Sequence, residues 1–190
     1  AGYYPGSEPL SVKILYAPVT GKLLGGQIVG YDGVDKRIDT IATIIGIGGS
    51  IHDLTEIEHA YAPPFSSAKD PVNMAGFVAD NILKGKMKVV TWEEADNFNP
   101  ESDFLLDVRS NQECRHGMIS GAVNIPLEDI RFRLDEIPSD KRIIVYCAVG
   151  MRGYLAYRIL SQNGFSEVFN LSGGYKSYFY AKTDQNNRLS

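Results

Sequence analysis

The segment Arg142-Ile-Ile-Val-Tyr-Cys147-Ala-Val-Gly-Met-Arg152-Gly153-Tyr-Leu-Ala-Tyr157 constrains the fold more than any other stretch of this 190-residue chain. A β-branched run ends in a cysteine, four small or apolar residues follow, and an arginine then opens a segment of helical period. The pattern predicts a strand, a tight loop and a helix N-terminus, with a thiol where the loop begins. Consecutive backbone N–H groups of such a loop converge into an anion nest. The helix start adds about half a positive charge, and Arg152 adds a whole one. Cys147 is therefore expected to act as a thiolate nucleophile. A free cysteine also packs as a small hydrophobe, so a residue that merely ends a buried strand stays open as the plainer reading.

The rest of the chain bounds the possibilities. Its length leaves room for one large domain or two small ones. A net charge of −4 without a sizeable Lys/Arg cluster argues against nucleic acid. The longest apolar stretch, residues 41–51, is interrupted by Thr43 and Ser50 and falls well short of the ~20 residues a membrane helix needs. Cys114 and Cys147 form neither a C-x-x-C motif nor a disulfide framework, which makes a reducing cytoplasm the expected compartment. His52 and His59 are too isolated to suggest a metal site. The chain opens almost directly on a strand with no signal-like segment, and it is expected to be a fragment of something longer.

Composition shifts at Lys84-Gly-Lys-Met-Lys88, and the domain boundary is placed there: residues 1–86, then 87–183, then a tail over 184–190. In the first part, residues 11–16 and 23–29 read as a β-hairpin around Pro18-Val-Thr-Gly-Lys22. Val34, Ile38, Ile41 and Ile45 recur at helical spacing, with Asp32 or Gly33 as the cap and Gly46, Gly48 and Gly49 as the stop. Those glycines follow a helix rather than a strand, so they are not a dinucleotide loop. A shaped Pro-rich loop over residues 59–70 leads into a helix capped by Asp70, with Pro71 first and Leu83 last.

The second part alternates strand and helix. Strands are expected over residues 89–91, 104–109, 121–126, 142–146 and 168–171. Helices are expected from Glu93, after the Ser110/Glu113 capping box, over 127–137, after the Cys147 loop, and as a short final element behind Ser172-Gly173-Gly174. This is an α/β pattern with a mainly parallel sheet flanked by helices, behind an incomplete α+β domain. Sites in such sheets form outside the carboxyl ends of the strands, where Asp107 and Cys147 both fall.

Four motifs in order make the second part resemble a rhodanese domain: Leu105-Leu-Asp107-Val-Arg109, Gly117-Met-Ile-Ser-Gly121-Ala-Val-Asn124-Ile-Pro126, the Cys147–Arg152 loop, and Leu171-Ser-Gly173-Gly174-Tyr175. The resemblance implies a sulfurtransferase in which Cys147 takes a sulfane sulfur from a small donor as a persulfide and passes it to a thiol acceptor. Ala148, Val149, Gly150, Met151 and Gly153 would form the substrate cradle, and Arg152 its charge anchor. Asp107 and Arg109 would brace the domain. Where the family often has Gly-His-Ile, this chain has Gly117-Met118-Ile119, with His116 displaced. Related Cys-dependent phosphatases and arsenate reductases place five residues between Cys and Arg; here there are four, a ring better suited to one sulfur. A non-catalytic module that only binds a sulfur-carrying partner remains the alternative. Arg109, Arg115, Arg131 and Arg133 could face the loop and select anions, although each taken singly reads as a solvated side chain, and Cys114 reads as incidental.

The first part resembles the dimerization domain of flavoprotein disulfide reductases, in the coenzyme A-disulfide reductase, NADH oxidase and persulfide reductase group. Gly2-Tyr3-Tyr4-Pro5-Gly6, Gly30-Tyr-Asp-Gly33-Val-Asp-Lys-Arg37-Ile-Asp39 and the segment from Tyr61 to Asn73 carry this likeness. It implies a homodimeric parent that uses FAD, NAD(P)H and coenzyme A, none of them bound by this chain alone. It further implies that Tyr61, together with Tyr3 or Tyr4 (Tyr3 being preferred), reaches the partner's flavin site and protonates a leaving thiolate.

Overall fold

The computed structural model describes residues 2–189, apart from the side chain of Leu189; Ala1 and Ser190, the outer ends of the first domain and of the tail, lie outside it. The chain separates between Lys86 and Met87 into two compact units.

The first unit starts with an antiparallel hairpin of β1 (Leu10–Tyr16) and β2 (Leu23–Gly30), paired from Leu10↔Gly30 to Tyr16↔Leu23 with an irregularity at Leu15/Tyr16. Strand β1 alternates as its sequence demands: Val12, Ile14 and Tyr16 are half-buried, while Lys13 and Leu15 are exposed. Helix α1 (Val34–Gly46) follows Gly33, whose φ of 62° places it in the left-handed region. The inward stripe of α1 is centred on Arg37, Ile41 and Ile44, one residue away from the expected Ile38 and Ile45, because Arg37 is drawn inside by an acidic partner described below. A further helix, α2 (Ile51–Glu56), was not expected from periodicity; six residues are too few to show one, and its signal is the Ser50/Asp53 capping box. Helix α3 (Pro71–Leu83) has the expected Asp70 cap and Pro71 start. Leu23, Ile41, Ile44, Ile51, Leu54, Val72 and Ala79 form the core beneath the hairpin.

The second unit is a five-stranded, wholly parallel sheet flanked by helices. It contains β3 (Val89–Val90), α4 (Trp92–Asp96), β4 (Asp103–Asp107), α5 (Asn111–Cys114), β5 (Val123–Asn124), β6 (Arg142–Tyr146), α6 (Met151–Gln162), β7 (Val168–Leu171) and α7 (Gly174–Leu189). The order across the sheet is β3-β7-β6-β4-β5, so β6 is central, between β4 and β7. That explains the unbroken apolar run Ile143-Ile-Val-Tyr146: a strand covered on both faces has no polar side.

Three expectations change. Thr91 ends β3 early by capping α4 together with Glu94. Residues 127–137 are not a helix but two 3-10 turns, Ile130–Phe132 and Leu134–Glu136. The segment is too short to sustain a helix unaided, Arg133 interrupts it at φ −128°, and Pro138 forces Ile137 into an extended conformation. Finally, the last helix is long rather than short, and continues over 184–189, the residues read as a tail. Among the described residues no helix is long and apolar enough to cross a membrane.

Candidate active site

Cys147 immediately follows β6, at the carboxyl edge of the sheet, and is 1% exposed. The loop behind it is held from its outer side. The Tyr175 and Lys176 amides, in the first turn of α7, donate to the carbonyls of Cys147 (2.8 Å) and Ala148 (3.0 Å). The Gly150 carbonyl accepts from the Tyr154 amide (2.8 Å) and from Asn170 Nδ2 (3.2 Å). With these carbonyls drawn away, the Gly150 N–H turns toward the thiol and donates to Sγ at 3.1 Å. Gly150 makes that reversal at φ 126°, a conformation that strains any residue with a side chain. Gly174 lets α7 approach: a Cβ there would lie 2.5 Å from the Cys147 oxygen and 2.8 Å from the Val149 nitrogen.

Around this cradle Gly153 is buried at the start of α6, Ala148 is half-buried, and Val149 and Met151 are exposed. Sequence reasoning missed Asn170. It lies within β7, where a polar residue among apolar ones was the available signal. Its Nδ2 donates to Gly150 O and to Met87 Sδ, while its buried Oδ1 has no hydrogen-bond partner and sits against Gly153.

Arg152 is partly buried in the first turn of α6, and its charge is already engaged. Nη1 and Nη2 donate to the two Glu113 oxygens at 2.7 and 2.6 Å, a parallel fork of the strong kind. Glu113 Oε2 also accepts from the Ser110 amide and hydroxyl, both at 3.0 Å. The Arg152 guanidinium beside it, together with the Ser110 donors, pulls the Glu113 carboxyl down to about 2 despite some burial. Arg152 is pushed above its ordinary value, first by Glu113 and to a lesser degree by Cys147. Its spacing identified Glu113 only as a cap residue; its partner is 39 positions away, so no local pattern announces the pair. Cys114, next door, is pushed up to about 11, chiefly by burial and then by Asp107, which makes it a poor nucleophile.

Asp107, fully buried at the end of β4, accepts from the Arg109 amide and guanidinium, the shortest contact being 2.6 Å. Arg109 also donates to the Gly117 carbonyl at 2.7 Å. Arg109 is thus a 4%-exposed internal brace, neither a solvated side chain nor an anion selector. Arg133 is paired with Glu136, and Arg115 and Arg131 are exposed.

In the first unit Tyr3 and Tyr61 are exposed. A cleft of about 380 Å³ is lined by Tyr4, Pro5, Glu8, Asp32, Arg37 and the Pro-rich loop at Pro63, Pro64 and Phe65. Tyr4 rather than Tyr3 is part of its wall. Arg37 donates to both Asp70 oxygens (3.0 and 3.1 Å), and Ser66 Oγ donates to Asp70 at 2.6 Å. Burial raises the Asp70 carboxyl, but Ser66 and Arg37 outweigh it and leave it below the usual range. The cleft does not fit a dinucleotide, because its arginine is spent on Asp70 and Glu8 and Asp32 would oppose a pyrophosphate. Among the described residues no group of three or more His, Cys, Asp or Glu side chains is placed to hold a metal ion.

Residues 91–181 match the family described as rhodanese-like domain, and residues 1–72 the pyridine nucleotide-disulphide oxidoreductase dimerisation domain. The chain is 46% identical to a solved structure described as reduced Bacillus anthracis CoADR-RHD, with a TM-score of 0.93 over 97% of this chain and 33% of that one. It is 38% identical to an NAD-dependent persulfide reductase from A. fulgidus, with a TM-score of 0.83 over 94% of this chain and 32% of that one. It is also 43% identical over 79 residues to a coenzyme A disulfide reductase of Staphylococcus epidermidis, covering 42% of this chain and 18% of that protein. The chain therefore spans less than a fifth of the length of this curated relative.

Proposed function

We propose that this chain carries sulfur on Cys147 within a flavin-dependent disulfide or persulfide reductase, a reading supported by the match of residues 91–181 to the rhodanese-like domain family and of residues 1–72 to the pyridine nucleotide-disulphide oxidoreductase dimerisation family. The observation that carries the reading is the Gly150 N–H aimed at Sγ, in a loop whose neighbouring carbonyls are bonded elsewhere. Such a ring favours an anion at the sulfur and at one further atom beyond it.

The transfer has two halves. The Cys147 thiolate attacks the sulfane sulfur of a small donor; the donor S–S bond breaks and the leaving group departs with the electron pair. The amides of residues 148–153 and the Arg152 charge then hold the terminal sulfur of Cys147–S–S⁻. A thiol acceptor, as its thiolate, attacks that sulfur and Cys147 leaves as thiolate. The parent is read as a cytoplasmic homodimer joined through the dimerisation domain. FAD and NAD(P)H, with coenzyme A as a candidate ligand, belong to its remaining part. Tyr61 and Tyr3, both exposed, are assigned to the partner's flavin site as proton donors to a departing thiolate.

The near-complete burial of Cys147 favours one second reading, a module that binds a sulfur-carrying partner without turnover. Intact mass separates the two. Incubation with a sulfane donor should add about 32 Da, one sulfur of the persulfide type, removable by cyanide and absent in Cys147→Ala. No adduct from any donor, with Cys147 still alkylatable, would leave the loop as a binding surface. A four-residue ring gives no support to phosphate chemistry, and turnover of a generic phosphoester would overturn that judgement.

A further inference from the structure

We infer that Asn170 is the positioning residue of the Cys147 loop: through the Gly150 carbonyl it keeps the Gly150 N–H aimed at the sulfur. The inference rests on the sulfur-transfer reading above, and names a residue on which that chemistry depends although it touches none of the reacting atoms.

Asn170 breaks an apolar row. Within β7 it is in register with Val89 of β3 on one side and Val145 of β6 on the other, and it is 4% exposed. A third apolar side chain would complete that row. Instead the amide is wedged in with its Oδ1 against Gly153, buried and without a hydrogen-bond partner. A Cβ on Gly153 would lie 2.2 Å from that oxygen, so the helix has room for the amide only because residue 153 is glycine. An unpaired buried acceptor costs stability. The other end of the amide accounts for its presence: Nδ2 donates to the Gly150 carbonyl at 3.2 Å and to Met87 Sδ at 3.4 Å.

Gly150 is the pivot of the loop. Its φ of 126° is open to glycine alone without strain, and a Cβ there would meet nothing within 4 Å. The same freedom would let the Val149–Gly150 peptide turn over and offer the sulfur a carbonyl in place of an N–H. Two donors on the Gly150 carbonyl oppose that rotation. The Tyr154 amide, at 2.8 Å, belongs to α6 and moves with it. Asn170 belongs to β7, which pairs directly with β6, the strand that delivers Cys147. The bond from Asn170 therefore refers Gly150 to the same sheet as the thiol, and the 3.1 Å contact from Gly150 N–H to Sγ is set by strand pairing rather than by the loop. An N–H so fixed stabilises negative charge on the sulfur, which a carbonyl would repel.

The test measures two rates on the full chain, on Asn170→Leu and on Asn170→Ser. One is sulfur loading of Cys147 from inorganic polysulfide, the other alkylation of Cys147 by uncharged iodoacetamide; both are followed by peptide mass and set beside the thermal midpoint. Leucine is close to asparagine in shape and leaves no acceptor unpaired. Asn170→Leu should keep or raise the midpoint while both rates fall about tenfold, less than the loss of a donor that itself contacts the charge. Asn170→Ser should have the lower midpoint and yet the faster rates of the two, since the space it opens admits a water able to donate to the Gly150 carbonyl. Asn170→Val, matched to its register neighbours, repeats the comparison if leucine prevents folding. Rates that simply follow the midpoint, or a folded apolar variant that reacts as fast as the unmodified chain, overturn the assignment of Asn170. No sulfur uptake by the unmodified chain overturns the sulfur-transfer reading instead, and alkylation then still decides the role of Asn170.

Discussion

The Arg109 guanidinium lies over the Tyr175 ring at 4.1 Å while its nitrogens hold the Asp107 carboxylate and the Gly117 carbonyl. One buried cation thus ties the end of β4 to the first turn of α7, the same turn whose amides restrain the Cys147 loop. The contact combines a charge-assisted fork with a face-on cation–π arrangement.

Removing that cation leaves Asp107, which has no exposed surface, charged and unpaired. Arg109→Ala should destabilise the second unit by about 3–5 kcal/mol. Arg109→Lys should recover only part of the loss, because an ammonium cannot reproduce the fork and the flat contact with Tyr175 together. Urea unfolding of the three proteins checks both statements.

The loop is equally exposed to a change on its outer side. Gly174 has φ 62°, and a methyl group there would press on the Cys147 carbonyl and the Val149 nitrogen. Gly174→Ala should cost about 1–3 kcal/mol from backbone strain alone. Sulfur loading should fall further than that loss explains, since the carbonyls that α7 draws away would be displaced back toward the cradle. Persulfide formation measured beside the thermal midpoint distinguishes the two effects.

Glu113 gives a pH dependence with a defined sign. Its folded value, about 2, lies below the ordinary glutamate value of 4.5, with the Arg152 hydrogen bonds as the main cause. The stabilisation is therefore fully present above pH 4.5 and is lost as the pH falls through about 2. The stability difference between the unmodified chain and Glu113→Gln should be flat near neutrality and shrink over that acid window. Because both side chains are more than a third exposed, the effect is expected to be small and to weaken in high salt.

In the first unit, Arg37 and Asp70 form the corresponding buried pair, with 7% and 0% of their side chains exposed. Asp70 also caps α3. Arg37→Met should therefore unfold this unit under conditions where the second unit survives, a loss of about 3–5 kcal/mol. Hydrogen exchange resolved by segment would show protection lost in α1 and α3 and retained in β4 and β6.

Much of this was legible in the chain itself. The parallel sheet, the Cys147 strand-loop-helix and the Asp70 cap are written in short-range patterns: an all-apolar strand, glycine beside a thiol, aspartate before proline. What escaped was long-range. Arg37 reads as a polar interruption of an apolar stripe until Asp70 is seen to receive it, and Glu113 reads as a cap until Arg152 is seen to grip it. Asn170, whose amide steadies Gly150, carries no periodic signature at all. Residues 127–137 failed for the opposite reason, since Ile130 and Ile137 suggest a helical face although the backbone closes only three-residue turns.

The strand order β3-β7-β6-β4-β5 also sets a timetable. As the polypeptide is synthesised, Cys147 emerges before β7, its neighbour in the sheet, and before the α7 amides that draw its carbonyl and that of Ala148 aside. Until Tyr175 and Lys176 arrive, those two carbonyls lack their amide donors and the loop stands on an unfinished edge. The outer support of the Cys147 loop is thus absent until α7 has been made, and a cut ahead of α7 yields a product in which the carbonyls of Cys147 and Ala148 lack their amide donors.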